Sequence, residues 1–150
     1  MKQPARIRNA MTVDVEDWFQ VQAFAHCIRR KDWSGLEVRV EANVDRILAQ
    51  FATAGVKATF FTLGWVAQRH PGMVRRIVAA GHELASHGWD HTRADSQDPA
   101  SFRADIRRTR AVLEDIGGTP VAGYRAATFS IGARNPWAFA QSPLFLSSFP

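Results

Sequence analysis

Apolar and polar positions along this chain switch between two periods, and the switches divide it into strand-like and helix-like segments. Residues 10–15 (AMTVDV) fit a short buried strand. Between residues 38 and 54 the apolar positions Val40, Val44, Ile47, Leu48 and Phe51 recur at spacings of three and four, which predicts an amphipathic helix, and Gly55 supplies its stop. The β-branched and aromatic run 57–63 (KATFFTL) predicts a second strand. A helix over 71–80 follows, with Met73, Val74, Ile77 and Val78 turned inward and Gly81 behind it, and residues 82–86 form a third strand. Asp98 and Pro99, in cap and first-turn positions, open another helix that runs through Phe102, Ile106, Val112, Leu113 and Ile116 to Gly117 and Gly118. A fourth strand is expected over 121–124.

Strand and helix in alternation imply an α/β fold, a parallel sheet or barrel with helices outside and functional groups gathered at the C-terminal strand ends. The chemically capable side chains stand there: Asp14, Glu16 and Asp17 after the first strand, His87 and His91 after the third, Arg125 after the fourth. Beyond Arg134 the pattern is broken by Pro136 and Pro143 and ends in an apolar tail, which reads as an interrupted chain. Four βα units do not close a barrel, so an open edge and an exposed inner face are expected.

A chain of 150 residues with 46% hydrophobic content is expected to form one domain, 1–150, with a real core. The net charge of +5 comes largely from arginine, but Arg103, Arg107 and Arg110 share a helical stripe with the acids Asp105, Glu114 and Asp115 interleaved. That pattern reads as a solvated face, not as a nucleic-acid footprint. Cys27 is the single cysteine, which excludes an intrachain disulfide and a thiolate metal cluster, so any metal takes nitrogen and oxygen ligands. The N-terminus lacks the apolar run of a signal peptide, and no segment approaches the roughly 18 apolar residues that span a bilayer; a cytoplasmic location is the default expectation.

His87 and His91 lie four apart in GHELASHGWDH, directly after the third strand. Neutral imidazole and carboxylate suit zinc or a similar divalent ion, and two histidines with one acid leave positions open for water and substrate. A further acid just outside the coordination sphere can serve as general base. Asp14 and Glu16 point to the same side if the first strand persists, whereas Asp17 comes in only if the chain turns after Val15, so the choice between Glu16 and Asp17 stays open. His82 reads as a structural hydrogen-bonding residue and Trp65 as buried packing. Trp18 and Trp89 adjoin the site and are open between packing and a sugar platform.

TVDVEDWF from Thr12, SHGWDH from Ser86 and GYRAATFSIG from Gly123 resemble the first three motifs of the NodB-like polysaccharide deacetylases, nearest to the subgroup of exopolysaccharide gene clusters. That resemblance implies a partial, distorted (β/α) barrel and a hydrolase that removes acetyl groups from N-acetylated sugars of a polysaccharide or oligosaccharide, using a divalent metal, usually zinc. It matches Asp14 to the general base, His87 and His91 to the metal-binding histidines, Glu16 or Asp17 to the metal-binding acid, and Arg125 to the arginine that orients the base. Two departures stand out. No histidine follows His91 to act as the family's general acid, and Ala127 occupies a place where relatives carry proline, whose fixed φ stiffens the turn. The expectation is a member truncated at its C-terminus, with a non-catalytic metal- or glycan-binding remnant of the same fold as the alternative.

Overall fold

Thr12–Val15 (β1), Thr59–Thr62 (β2) and Glu83–Ser86 (β3) pair in parallel in the order β1-β2-β3 in the computed structural model, which describes residues 9–141. Val15 lies opposite Thr62, and Thr62 opposite Ser86, so the three strands end level and the residues after them leave the sheet side by side. Parallel neighbours need crossovers. Val40–Ala54 (α1) joins β1 to β2, while Gly64–Arg69 (α2) and Pro71–Ala79 (α3) join β2 to β3. Pro99–Gly117 (α4) and Trp137–Ala140 (α5) follow.

Local signals fix the long helices. Gly55 ends α1 in the left-handed region at φ 64°, its N–H reaching the last carbonyls of the helix. The Asp98 carboxylate accepts from the amides of Ala100 and Ser101 ahead of α4, and Gly118 closes that helix at φ 62°. The row Val13, Phe60, Leu84 crosses the sheet; Phe60 and Leu84 are buried against Met73, Val74 and Ile77 of α3, Leu113 of α4 and Val44 of α1. Each such side chain contributes about 1.5–3 kcal/mol on burial. A second cluster of Ala94, Phe102, Ile106, Ala126 and Ala138, with Tyr124 and Trp137 against it, anchors the chain on either side of Arg125 to α4.

Three differences from the sequence reading have physical causes. The predicted fourth strand is a single parallel bridge between Ser86 and Tyr124. Pro120 has no N–H to give, and the amide of Val121 donates to Glu114 Oε1 at 2.9 Å instead of to a ladder. Between β2 and α3 the chain forms α2 where no element was expected, because the amides of Gly64 and Trp65 are met by the carbonyls of Gly88 and Trp89 at 3.0 and 2.8 Å. After β1, three 3-10 turns at Trp18–Gln20, Gln22–Phe24 and Arg30–Gly35 lead to α1, pinned by the buried Phe19 and Trp33. Pro136 does break the pattern, leading into α5; Pro143 and the apolar end lie outside the described residues. Among the described residues no helix is long and apolar enough to cross a membrane.

Candidate metal centre

His87 leaves β3 with its amide bonded to Thr62 O at 3.0 Å, which fixes where its ring begins. Nδ1 lies 2.8 Å from the carbonyl oxygen of Arg125. A carbonyl can only accept, so Nδ1 carries the proton and Nε2 presents a lone pair to the site, the arrangement a metal ligand requires. Burial pushes the His87 imidazole below its ordinary pKa, against upward pulls from Asp14, the Arg125 carbonyl and Glu16, and so favours the neutral ring. The chain then turns through Gly88 at φ 79° to His91, itself left-handed at φ 61°. The two imidazole rings stand 5.2 Å apart, centre to centre. A left-handed non-glycine residue costs about 1–2 kcal/mol and persists where its surroundings over-determine it.

Glu16 completes the group. One ligand atom each from Glu16, His87 and His91 lie within 4.8 Å of one another. Glu16 Oε2 is 3.0 Å from His91 Nε2 but is buried without an aligned hydrogen bond. A buried carboxylate oxygen left in that state is costly unless a cation neutralises it. Two imidazoles and one carboxylate are also the donor set of an open zinc site, so these residues fit a divalent cation.

Of the two acids left open by the sequence, the structure brings Glu16 and not Asp17 to the histidines. Asp17 is buried, but its carboxylate faces the other way. Oδ1 accepts from the amide of Trp18 at 2.9 Å, and Oδ2 from those of Arg39 and Val40 at 2.8 and 3.1 Å. Gln20 Oε1 takes the Asp17 amide at 2.7 Å, closing a capping box. As a proposed metal residue Asp17 is thereby corrected to a structural cap that ties the segment after β1 to the start of α1.

Asp14 and Arg125 stand beside this group. The guanidinium donates to Asp14 Oδ1 at 2.6 Å and to Thr12 Oγ1 at 3.0 Å, and lies 4.1 Å from the centre of the Phe61 ring. Asp14 Oδ2 is 4.0 Å from His87 Nε2. Arg125 therefore serves two groups at once, its side chain fixing the Asp14 carboxylate and its carbonyl setting the His87 tautomer. Its own amide bonds Ser86 O at 2.9 Å, which holds it level with the strand ends.

The surroundings decide the other sequence candidates. The Trp89 ring has the Arg108 guanidinium at 3.3 Å from its centre and abuts Gly64, where an added Cβ would lie 2.5 Å from the ring. The ring is thus held in packing between Arg108 and the start of α2. Trp18 donates from Nε1 to Glu37 O at 2.9 Å and carries Arg39 against its ring. Trp65 packs edge-on against Phe19 and Trp33, and His82 Nδ1 accepts from the Ala58 amide at 3.2 Å. Ala127 is buried at the start of a 3-10 turn whose next residues, Thr128 and Phe129, are left-handed at φ 55° and 50°. A cleft of about 240 Å³ opens beside His91, lined among others by Gln20, Arg30, Trp33 and Asp90. Asp105, expected among the acids of the solvated arginine face, instead turns inward, its Oδ1 accepting from the Trp89 amide at 2.8 Å. The available signal was an acid set within the inward stripe Phe102, Ile106, Thr109, Leu113 of α4.

The model of the polysaccharide deacetylase family matches residues 33–140, well over half of the chain. The peptidoglycan-N-acetylglucosamine deacetylase PgdA of Listeria monocytogenes is 39% identical over 66 residues, which cover 43% of this chain and 14% of that protein. A chitooligosaccharide deacetylase of Rhizobium leguminosarum bv. trifolii is 35% identical over 68 residues, 45% of this chain and 32% of that protein. This chain thus spans less than a third of either relative's length in the matched stretch. A CE4-family pseudoenzyme of Bacillus anthracis superposes with a TM-score of 0.69 at 18% identity, over 91% of this chain and 41% of that one, a likeness of fold. The partial (β/α) barrel and the matched region agree: the chain belongs to the polysaccharide deacetylase family.

Proposed function

We propose that this chain acts as a metal-dependent carbohydrate deacetylase, hydrolysing the C–N bond of N-acetylated sugars in a polysaccharide, with zinc held by Glu16, His87 and His91. The observation that carries the reading is the convergence of those three side chains within 4.8 Å beside an Asp14 carboxylate gripped by Arg125. The printed activities of the relatives, on peptidoglycan N-acetylglucosamine and on chitooligosaccharide, support an N-acetylated glycan as substrate. The subgroup resemblance favours an exopolysaccharide.

When bound, a divalent cation polarises an acetyl carbonyl and lowers the pKa of water. The chain's own part is positional. Arg125 occupies Asp14 Oδ1, which leaves Oδ2, on the side of His87, to accept a proton from the attacking water. The Arg125 carbonyl keeps His87 in the tautomer whose Nε2 is a ligand. Removing a general base costs about 10²–10⁴ in rate.

A second reading, a non-catalytic metal-binding member, is favoured by one observation: Ala127, where the resemblance has proline, leads into the left-handed turn of Thr128 and Phe129 without a ring to fix its φ. Acetate release from N-acetylglucosamine oligomers by the zinc-loaded chain separates the two. Release that disappears in His87→Ala and falls at least 10²-fold in Asp14→Asn supports the deacetylase. Stoichiometric zinc without acetate supports the second reading, and failure to take up zinc sinks both.

A further inference from the structure

We propose that Asp105, on α4, is a positioning residue for the metal centre, holding the Gly88–Trp89 turn so that His87 and His91 face one site from its two ends. The inference rests on the metal-binding reading above and deepens it.

Gly88 and Trp89 are, with Asp90, all that separates the two histidines, and the turn is tied to two helices. The carbonyls of Gly88 and Trp89 accept from Gly64 and Trp65 at the start of α2. The amide of Trp89 donates to Asp105 Oδ1 at 2.8 Å. Asp105 Oδ2 lies 3.1 Å from where a Cβ on Gly88 would stand, so glycine there serves both the positive φ of 79° and the close approach of the carboxylate. Oδ2 is itself buried without an aligned hydrogen bond, with the Thr109 hydroxyl beside the carboxyl. The helix that carries Asp105 is firmly seated, capped by Asp98 and buried through Phe102, Ile106, Thr109 and Leu113.

A carboxylate in that stripe is a poor choice for stability alone. Burial raises Asp105 to about 6, against the downward pull of the Trp89 amide. An apolar residue there would pack without that penalty. What an apolar residue lacks is a short acceptor for the Trp89 amide, since α2 engages only the turn's carbonyls and the Gly88 amide goes to Ser86 Oγ at 3.2 Å. Local rules are broken in this way where a site requires it.

The test is zinc affinity measured by competition with a chromophoric chelator on the full chain. Groups that orient metal ligands from outside the coordination sphere are worth about 10–100-fold in affinity. Asp105→Ala is expected to weaken zinc binding by about that factor, while Asp105→Asn, which keeps the Oδ1 acceptor, restores an affinity close to wild type. Wild-type affinity in a folded Asp105→Ala protein overturns the proposal while leaving the metal reading intact. Hydrogen exchange on the unaltered protein gives a second, independent decision that holds even if the alanine variant does not fold. Protection of the Trp89 amide comparable to the amides of α4 supports the hold, and exchange at the rate of an exposed loop overturns it. If the unaltered chain takes up no zinc, the metal reading fails by itself, and Trp89 exchange still decides whether Asp105 holds the turn.

Discussion

Adjacent acids with opposite duties mark this site at the scale of single residues. Glu16 points at the histidines with a buried oxygen that no hydrogen bond satisfies, while Asp17 points away with its carboxylate taken by three backbone amides. Their substitutions should separate cleanly. Glu16→Gln removes an uncompensated buried charge, so the metal-free protein is expected to melt at or above the wild-type temperature while zinc affinity falls by more than an order of magnitude. Asp17→Ala leaves those amides without an acceptor and is expected to cost about 2–4 kcal/mol, with stoichiometric zinc retained by the folded fraction. Thermal melts and zinc titrations on the two variants check this, and the reverse pattern would hand the ligand role to Asp17. Strand alternation already put Asp14 and Glu16 on one side. The duty of Asp17 was not legible, because two of its three partners lie 22 and 23 residues away, on a helix whose start had to be placed first.

Elements written in local periodicity were legible, and elements created by distant partners were not. The helices α1, α3 and α4 carry their own stripes and stops, and the three strands fall inside the predicted runs. Helix α2 has only six residues and begins on the carbonyls of Gly88 and Trp89, so nothing in 64–69 announces it. The same dependence makes Gly64 a test of how elements meet. Intrinsic propensity favours alanine over glycine inside a helix by about 1 kcal/mol. Here a Cβ would stand 2.5 and 2.9 Å from two carbons of the Trp89 ring, against which the Arg108 guanidinium is already packed. Overpacking of that kind costs about 1–3 kcal/mol and outweighs the propensity gain. Gly64→Ala is therefore expected to lower stability by about 1–2 kcal/mol and to weaken zinc binding through the displaced loop, as read by denaturant unfolding and zinc titration. Gly35→Ala, which meets nothing within 4 Å, is the control and should change neither.

Across the whole molecule, the buried ionisable groups pull stability in opposite directions with pH. His82 and His87 are held below their ordinary 6.5, chiefly by burial. The unfolded chain binds their protons more readily, so their contribution is complete above about 6.5 and is lost as pH falls. Asp105 has the opposite sign. Its carboxyl is raised from 3.8 to about 6, so the folded state holds a proton that the unfolded state has released, and stability declines as pH rises between those values. The penalty above pH 6 has an upper bound of about 3 kcal/mol. Asp105→Asn removes this titration and leaves the histidines as they are. The difference in unfolding free energy between variant and wild type thus isolates the carboxyl. Whatever its offset at pH 4, it should shift in favour of the variant by up to about 3 kcal/mol on going to pH 7, most of it before pH 6.5. Urea unfolding of both proteins at pH 4, 5, 6 and 7 measures that difference directly. A flat difference would mean that the Asp105 carboxyl titrates in the folded protein as it does in the unfolded chain, and that the Gly88–Trp89 turn is far better solvated than its packing implies.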